Sequence, residues 1–486
     1  MRLRFAAVAA LAAVAALPTG CALESPPKPE DLRAQAIPNI NVPGAWTSPG
    51  GANGPVADNW LATFADPQLD ALVREALAYN ADLRVAAARV EQAAGYATLA
   101  GSTIYPAVNL LAHGGGKAGG DGSGVNLIGL FASWEIDLWG RVRSEQQYGS
   151  RQYDAAVADA EYARQSIAAL VAKSWILAIE ARLQLAIARD IVASSEQTLG
   201  LARDRLRVGP GDEYDVALAE SNLESLRDAA RQLELGQQQA LRALETLVGR
   251  YPAAAIQVTT SLPAMPPPVP VGLPSELLER RPDVIAATRR VDAAFYKVSE
   301  AKAARLPKLA LTASVTQVSS DLFVLQNHAN PAFSIGGNLL APIFNGYALQ
   351  AQVDIRTAEQ KIAVAQYGVV AAKAFGEVES ALSAGFADDE REAILTRSVA
   401  SNAKTLELAN VRYKVGNGDL RGVLSQNVAL YGARTSLLRV QSDRLVQRVN
   451  LYLALGGGFE QATPPRAESD PATPAQTAKA DEHNGS

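Results

Sequence analysis

Few residues of this chain have the type and spacing that covalent or metal chemistry requires. Its three histidines, His113, His328 and His483, stand far apart, and none belongs to a set of ligands with metal-site spacing. No nucleophile is paired with a base. The run Gly114-Gly115-Gly116-Lys117 lacks the spacing of a phosphate loop and reads as an exposed hairpin tip. No catalytic residue, cofactor or metal is therefore expected. Two other groups remain. One is the single thiol, Cys21. The other is charge gathered at two glycine-containing turns. Arg205, Asp212, Glu213 and Asp215 flank Val208-Gly209-Pro210-Gly211, while Arg412, Tyr413, Asp419 and Arg421 flank Val415-Gly416-Asn417-Gly418. Carboxylates held close together repel one another and select cations, and arginine–carboxylate pairs can lock a turn. A solvated charged face is the plain alternative.

The thiol sits at a boundary. Arg2 and Arg4 begin the chain, Phe5 to Leu17 is an unbroken apolar run of thirteen residues, and Pro18-Thr19-Gly20 follow. A spanning helix needs roughly 20 apolar residues, so residues 1–20 read as a removable export signal. With one cysteine no disulfide can form within a chain. Thr19-Gly20-Cys21 resembles a bacterial lipobox, although Pro18 stands where an aliphatic residue is usual and Leu17 comes one place early. That resemblance implies lipid attachment at Cys21, and Ala22 resembles the residue that sends lipoproteins to the outer membrane. Each buried acyl CH₂ contributes about 0.8 kcal/mol, so several chains anchor firmly.

The elements that must position the two turns follow from composition and periodicity. Apolar residues make up 48% of the 486, yet aromatic residues only 6%, so alanine dominates and favours close-packed helix. The net charge of −5 and the lack of a Lys/Arg-rich run exclude nucleic acid as a partner. After the signal, no stretch holds 18 apolar residues without a charge; Lys173 interrupts the run from Ile167 to Ile179. Any membrane crossing must therefore be made by strands.

Residues 21–59, rich in proline, read as a lipidated extended tether, and residues 459–486 as a disordered tail. Between them the chain repeats itself. Asp82 to Glu91 matches Asp283 to Asp292 at an offset of 201, which also carries Pro106 onto Pro307. Trp139-Gly140 resembles Phe344-Asn345 at 205, and Arg205 to Gly211 resembles Arg412 to Gly418 at 207. This gives a first repeat over 60–250, a proline-rich crossover over 251–274 and a second repeat over 275–458. Each half reads as short helix, hairpin, very long helix, tight turn and second long helix, with Asp66-Pro67 as a cap and first-turn pair.

The hairpins alternate. Val108, Leu110 and Ala112 share a face, as do Ile128, Leu130, Ala132, Trp134, Ile136 and Leu138. In the second half Leu309, Leu311, Ala313 and Val315 do the same, and then Phe333, Ile335, Leu339 and Ile343. The pattern suits membrane-barrel strands and equally a soluble half-buried hairpin. The helices favour the barrel. No proline occurs from Val142 to Val208 or from Gly346 to Val415, spans of about 100 Å as helix. Val171, Ala178, Leu185, Val192, Leu199 and Leu206 recur every seven residues, each followed three later by a small residue such as Ala188 or Ala202. Such heptads mean close-packed, left-handed supercoiled helices. Four strands cannot close a barrel in lipid, so two or three chains must combine to give eight or twelve.

Three stretches carry a family resemblance: Gly272-Leu273-Pro274-Ser275-Glu276-Leu277-Leu278-Glu279-Arg280-Arg281-Pro282-Asp283, Trp134 to Arg141, and Leu451 to Gly458. Together they resemble the outer-membrane factor family, the TolC- and OprM-like efflux ducts, in its lipoprotein branch serving resistance–nodulation–division pumps. The likeness runs from Trp60 to Gly458. It implies a mainly α protein with a β-barrel part: a homotrimer whose twelve-stranded transmembrane barrel continues as a twelve-helix coiled-coil periplasmic tube. It implies outer-membrane lipid, a periplasmic adaptor and an inner-membrane transporter as partners, with small molecules expelled through the duct. By the same resemblance Val208, Gly209, Gly211, Val415, Gly416 and Gly418 are adaptor-docking tips. Arg205, Asp212, Glu213, Asp215, Arg412, Tyr413 and Asp419 form the periplasmic aperture and its latch. Asp215 matches a recurring acid of the family and Arg412-Tyr413 a recurring pair, whereas Ser425 stands where an acid is frequent. Two other readings stay open: a structural coiled-coil periplasmic lipoprotein, or the same duct used for polypeptide secretion.

Overall fold

The computed structural model describes residues 26–114, 126–319 and 332–460. The export signal, Cys21, Lys117, His328, His483 and everything beyond Glu460 lie outside the described residues.

Two hairpins of very long helices dominate. In the first, α4 (Arg141–Val208) turns into α5 (Glu213–Leu247); in the second, α8 (Ala348–Lys414) turns into α9 (Leu420–Ala454). At 1.5 Å per residue the 68 residues of α4 and 67 of α8 each span about 100 Å. The heptad stripe forms the seam. Val171, Ala178, Leu185 and Leu199 are buried, as are the small companions Ala188, Ser195 and Ala202 that let α5 and α9 approach α4. Leu206, the last of the series, is exposed at the tip.

Shorter helices precede each hairpin of strands. In the first half these are α2 (Pro67–Tyr79) and α3 (Ala81–Ser102), in the second α6 (Leu277–Arg280) and α7 (Pro282–Ala303). Asp66 caps α2 by accepting from the Gln68 and Leu69 amides. Its second oxygen accepts from Trp175 Nε1 at 2.8 Å, fixing α2 on α4. Contacts give two lateral orders. Near the sheet the helices run α3–α4–α7–α8, and in the distal half α5–α4–α9–α8. The lone chain therefore ends at α3 and α5 on one side and at α8 on the other.

The sheet holds β1 (Ala107–His113), β2 (Asn126–Ile136), β3 (Lys308–Ser319) and β4 (Ala332–Leu340), paired antiparallel in that order. Residues directly opposite share a face. Leu110 faces Leu130, Leu130 faces Val315 and Val315 faces Phe333, while Trp134 faces Leu311 and Leu309 faces Leu339. One face is thus apolar across all four strands. Ser133, Thr312 and Gly336 run across the other. Leu138 and Ile343, assigned to strands by alternation, lie beyond them: β2 stops at Ile136 and β4 at Leu340, before Pro342.

The register also corrects the repeat. Ala107 pairs with Ser133 and Lys308 with Leu340, so the offset is 201 up to β1 and β3 and already 207 from β2 and β4 onward. Gly140 (φ 77°) and Tyr347 (φ 66°) are equivalent left-handed residues before α4 and α8, so Gly140 answers Tyr347 and not Asn345.

The principal core lies at mid-height, where Trp60, Leu69, Trp175, Ile176, Val284 and Tyr452 are buried and the Trp60 ring stacks on Tyr452. Both ends of the described residues join it. Within the stretch read as an extended tether, Pro29–Ala36 is helical (α1), with Pro29 in the first turn and Leu32 and Ile37 buried against α8. Gly368 receives it; a Cβ there would stand 2.6 Å from the Ala36 carbonyl oxygen. Phe459, read as tail, is buried in the same core.

Candidate functional site

The distal tips hold the residues singled out by their charge. Gly209 ends α4 with φ 99°, its amide donating to the Arg205 and Leu206 carbonyls, and the Gly211 amide donates to the Arg205 carbonyl as well. A Cβ on Gly211 would lie 2.6 Å from the Leu206 nitrogen, so only glycine fits. Asp212 then caps α5 by accepting from the Asp215 amide at 2.8 Å. The second tip is built alike: Gly416 has φ 82°, and Asp419 accepts from the Gly422 amide at 2.7 Å. Val208 and Val415 are exposed at the extremities.

The two tips are tied to each other through tyrosines. Tyr413 is only 2% exposed, inside a small core with Leu199, Ala202, Ala219, Leu223 and Leu420. Arg205 lies over its ring at 4.5 Å and donates Nη1 to its carbonyl oxygen at 2.6 Å. The hydroxyl donates to Asp215 Oδ2 over a long 3.5 Å. Burial first, and then the Asp215 charge, raises the Tyr413 pKa above the ordinary phenol value, keeping it a neutral donor. On the opposite side Arg421 donates to the Tyr214 hydroxyl at 2.6 Å. Arg205, Asp215 and Tyr413 are thus brought together. Asp212 and Asp419 serve as caps, while Glu213 and Arg412 project into solvent and make no side-chain bond among the described residues. Within one chain no arginine of the set forms an ion pair with an acid of the set.

Three polar anchors, two of them buried, were not singled out from sequence. Arg281 is 1% exposed and forks onto both oxygens of Asp283, at 3.0 and 2.6 Å. Its remaining nitrogen donates to Glu377 at 2.7 Å and to the Ala454 carbonyl, so one guanidinium ties α7, α8 and α9 together. Burial would lower its pKa, but the Asp283 and Glu377 bonds outweigh this and raise it. Glu379 accepts from the Thr47 and Ser48 amides at 2.9 and 2.8 Å, clamping the N-terminal strap on α8. Burial opposes its ionisation, yet those bonds hold its pKa down to about 2. Glu245 accepts from the amides of Ala254, Ala255 and Ile256 and pins the crossover. The Arg-Arg-Pro-Asp string was a visible signal for the first; the other two carboxylates gave none.

At the junction of sheet and helices, Arg141 grips both oxygens of Glu135, at 2.8 and 2.9 Å, and lies near Glu145 and Glu300. Trp139 Nε1 donates to the Pro307 carbonyl at 2.7 Å, locking the first repeat to the second. Among the described residues no helix is long and apolar enough to cross a membrane, and no histidine, cysteine or acid cluster can hold a metal.

A family model described as outer membrane efflux protein matches residues 72–250 and 273–457. Pyoverdine export outer membrane protein OpmQ of Pseudomonas putida is 32% identical over 447 residues, covering 88% of this chain and 94% of that protein. Cation efflux system protein CusC of Escherichia coli K12 is 31% identical over 410 residues, covering 82% of this chain and 88% of CusC. Among solved structures, the CmeC outer membrane channel of Campylobacter jejuni superposes with a TM-score of 0.80 at 26% identity. That match covers 88% of this chain and 96% of CmeC.

Proposed function

Because the chain belongs to the outer membrane efflux protein family, we propose that three copies assemble into one duct, lipid-anchored through Cys21, whose tips meet a periplasmic adaptor. It is an outer-membrane efflux channel with a helical periplasmic tube. The observation that carries the trimer is the pair of open sides of a single copy. Among the described residues β1 and β4 each leave a row of backbone donors and acceptors without a partner strand, which lipid does not tolerate. Three copies supply twelve strands and twelve helix spans around a shared lumen.

The exposed helix faces support the same assembly. On α3, Val85 and Leu99 are exposed 14 residues apart; on α8, Ile355, Ile362 and Val369 are exposed at seven-residue spacing over the same length. Two antiparallel stripes of about 21 Å match end to end. Relatives named for pyoverdine export and cation efflux favour small solutes as cargo, driven by an inner-membrane transporter through the adaptor.

The aperture is read as a gate held by the tip contacts. Asp215 from three copies forms an acidic ring in the closed tube, and its bond to Tyr413 holds the two tips of a copy together. Asp215→Lys removes that acceptor and reverses the ring. In planar bilayers, single-channel conductance should rise and cation preference fall; unchanged currents would overturn the gate.

A further inference from the structure

We infer that Lys173 anchors a solute site on the inner wall of the duct, one per copy, that takes amphiphilic organic anions, a carboxylate on an apolar body. The inference rests on the duct reading above and adds to it a place where cargo touches the wall.

Which face of the helix layer is the inner one follows from what covers the other. Trp175 of α4 donates to Asp66 at the start of α2, and Arg182, seven residues on, donates to the Val258 carbonyl of the crossover. The crossover is bonded to the N-terminal strap, Trp46 to the Val271 carbonyl and the Ala52 amide to the Val269 carbonyl. Glu379 in turn holds the strap on α8. Helix α2, the strap and the crossover thus form one belt on one face of the layer. A belt of that bulk on the inside would fill the duct, so it lies outside. At about 100° per residue, Leu170, Lys173 and Leu177 sit about 140–160° round α4 from Trp175, on the uncovered face. Trp175 is buried, whereas Leu170 and Leu177 are exposed. Because α4 has helices of its own chain on both sides, a neighbouring copy does not reach this face.

Lys173 is the charge that breaks the apolar run from Ile167 to Ile179, and it has no counter-ion. Its ammonium donates to Asn450 Oδ1 of α9 at 3.2 Å and pairs with no carboxylate among the described residues. The next acid along this face, Glu180, is two turns nearer the tip, about 10 Å away, beside Arg439 and Asp443 of α9. Burial pushes the Lys173 pKa below the ordinary lysine value. The fold does not require the lysine: 207 positions on, the second repeat has the exposed Ser380 at the equivalent place on α8. A half-buried ammonium without a partner is costly, and an arriving anion supplies the missing charge. Leu170 and Leu177, about 10 Å apart along α4 on either side of Lys173, receive the apolar body.

Acetylation of the wild-type full chain tests the site. The protein, purified in a neutral detergent, is treated with acetic anhydride, and each lysine is followed by mass spectrometry of its peptides. Octanoate should slow acetylation of Lys173 about threefold once it reaches twice its dissociation constant, since it covers the amine and favours the protonated form. Exposed Lys404, far along α8, should react at an unchanged rate. Octyltrimethylammonium, with the same tail on a cation, and acetate, with no tail, should leave Lys173 unprotected at the same concentration. No protection by octanoate, or equal protection by either of the other two, overturns the site. So does a Lys173 that reacts only in urea, which would place it inside a sealed wall. Those results leave the duct standing. A monomer by native mass overturns the duct reading itself, and this site with it.

Discussion

Arg280 and Arg281 are adjacent in sequence and opposite in energetic consequence. Arg280 meets Asp58 with both side chains partly in solvent, where an ion pair contributes about 0–1 kcal/mol. Arg281 is enclosed, and removing it strands Asp283 and Glu377 without their donor. Losing one member of a buried pair costs about 3–5 kcal/mol. Because Glu377 is 35% exposed and can recover water, about 2–4 kcal/mol is expected for Arg281→Met. Urea unfolding followed by circular dichroism checks this, with Arg280→Met as the reference; equal midpoints for the two variants would refute the hub. Local chemistry at this scale was legible. Glycines at 209, 211, 416 and 418 announce turns, and Asp66 announces a cap, because each acts within four residues of itself. The burial of Tyr413 was not legible, since Arg205 reaches it across 208 positions that only the packed hairpins bring together. The same holds for Glu379, whose partners lie more than 330 residues away.

Helix lengths and strand faces were also readable, because both follow from periods of seven and two. Element ends were less so. Leu138 and Ile343 keep the alternation, but strands end where their partner strands end, and alternation carries no record of that. What periodicity conceals most is the closeness of approach. Gly149 on α4 faces α3 so tightly that a Cβ would stand 2.9 Å from the Ala100 Cβ and 3.2 Å from the Ala97 Cα. Gly149→Leu should therefore force the helices apart and destabilise the chain by about 1–3 kcal/mol. The thermal midpoint measures this. An unchanged value would mean that α3, with no buried residue to hold it, slides aside freely. Gly200, farther along α4, and Gly236 on α5, which face open space, serve as controls.

At the scale of the molecule the internal duplication was legible from a handful of identities near Asp82 and Asp283, but its exact bookkeeping was not. Similarity placed Trp139 on Phe344, whereas the paired strands put all six extra residues before β4. The open flanks of the sheet and of the helix layer carry a genetic consequence. Every subunit contributes to two seams, so a copy spoiled at β4 harms complexes that also hold sound copies. With equal synthesis of sound and spoiled protein and random mixing, about one complex in eight is wholly intact. A plasmid-borne allele carrying Gly336→Pro should thus suppress efflux-dependent tolerance in cells that retain the normal gene, to well under half. Tolerance falling no further than half would mean that each subunit conducts alone.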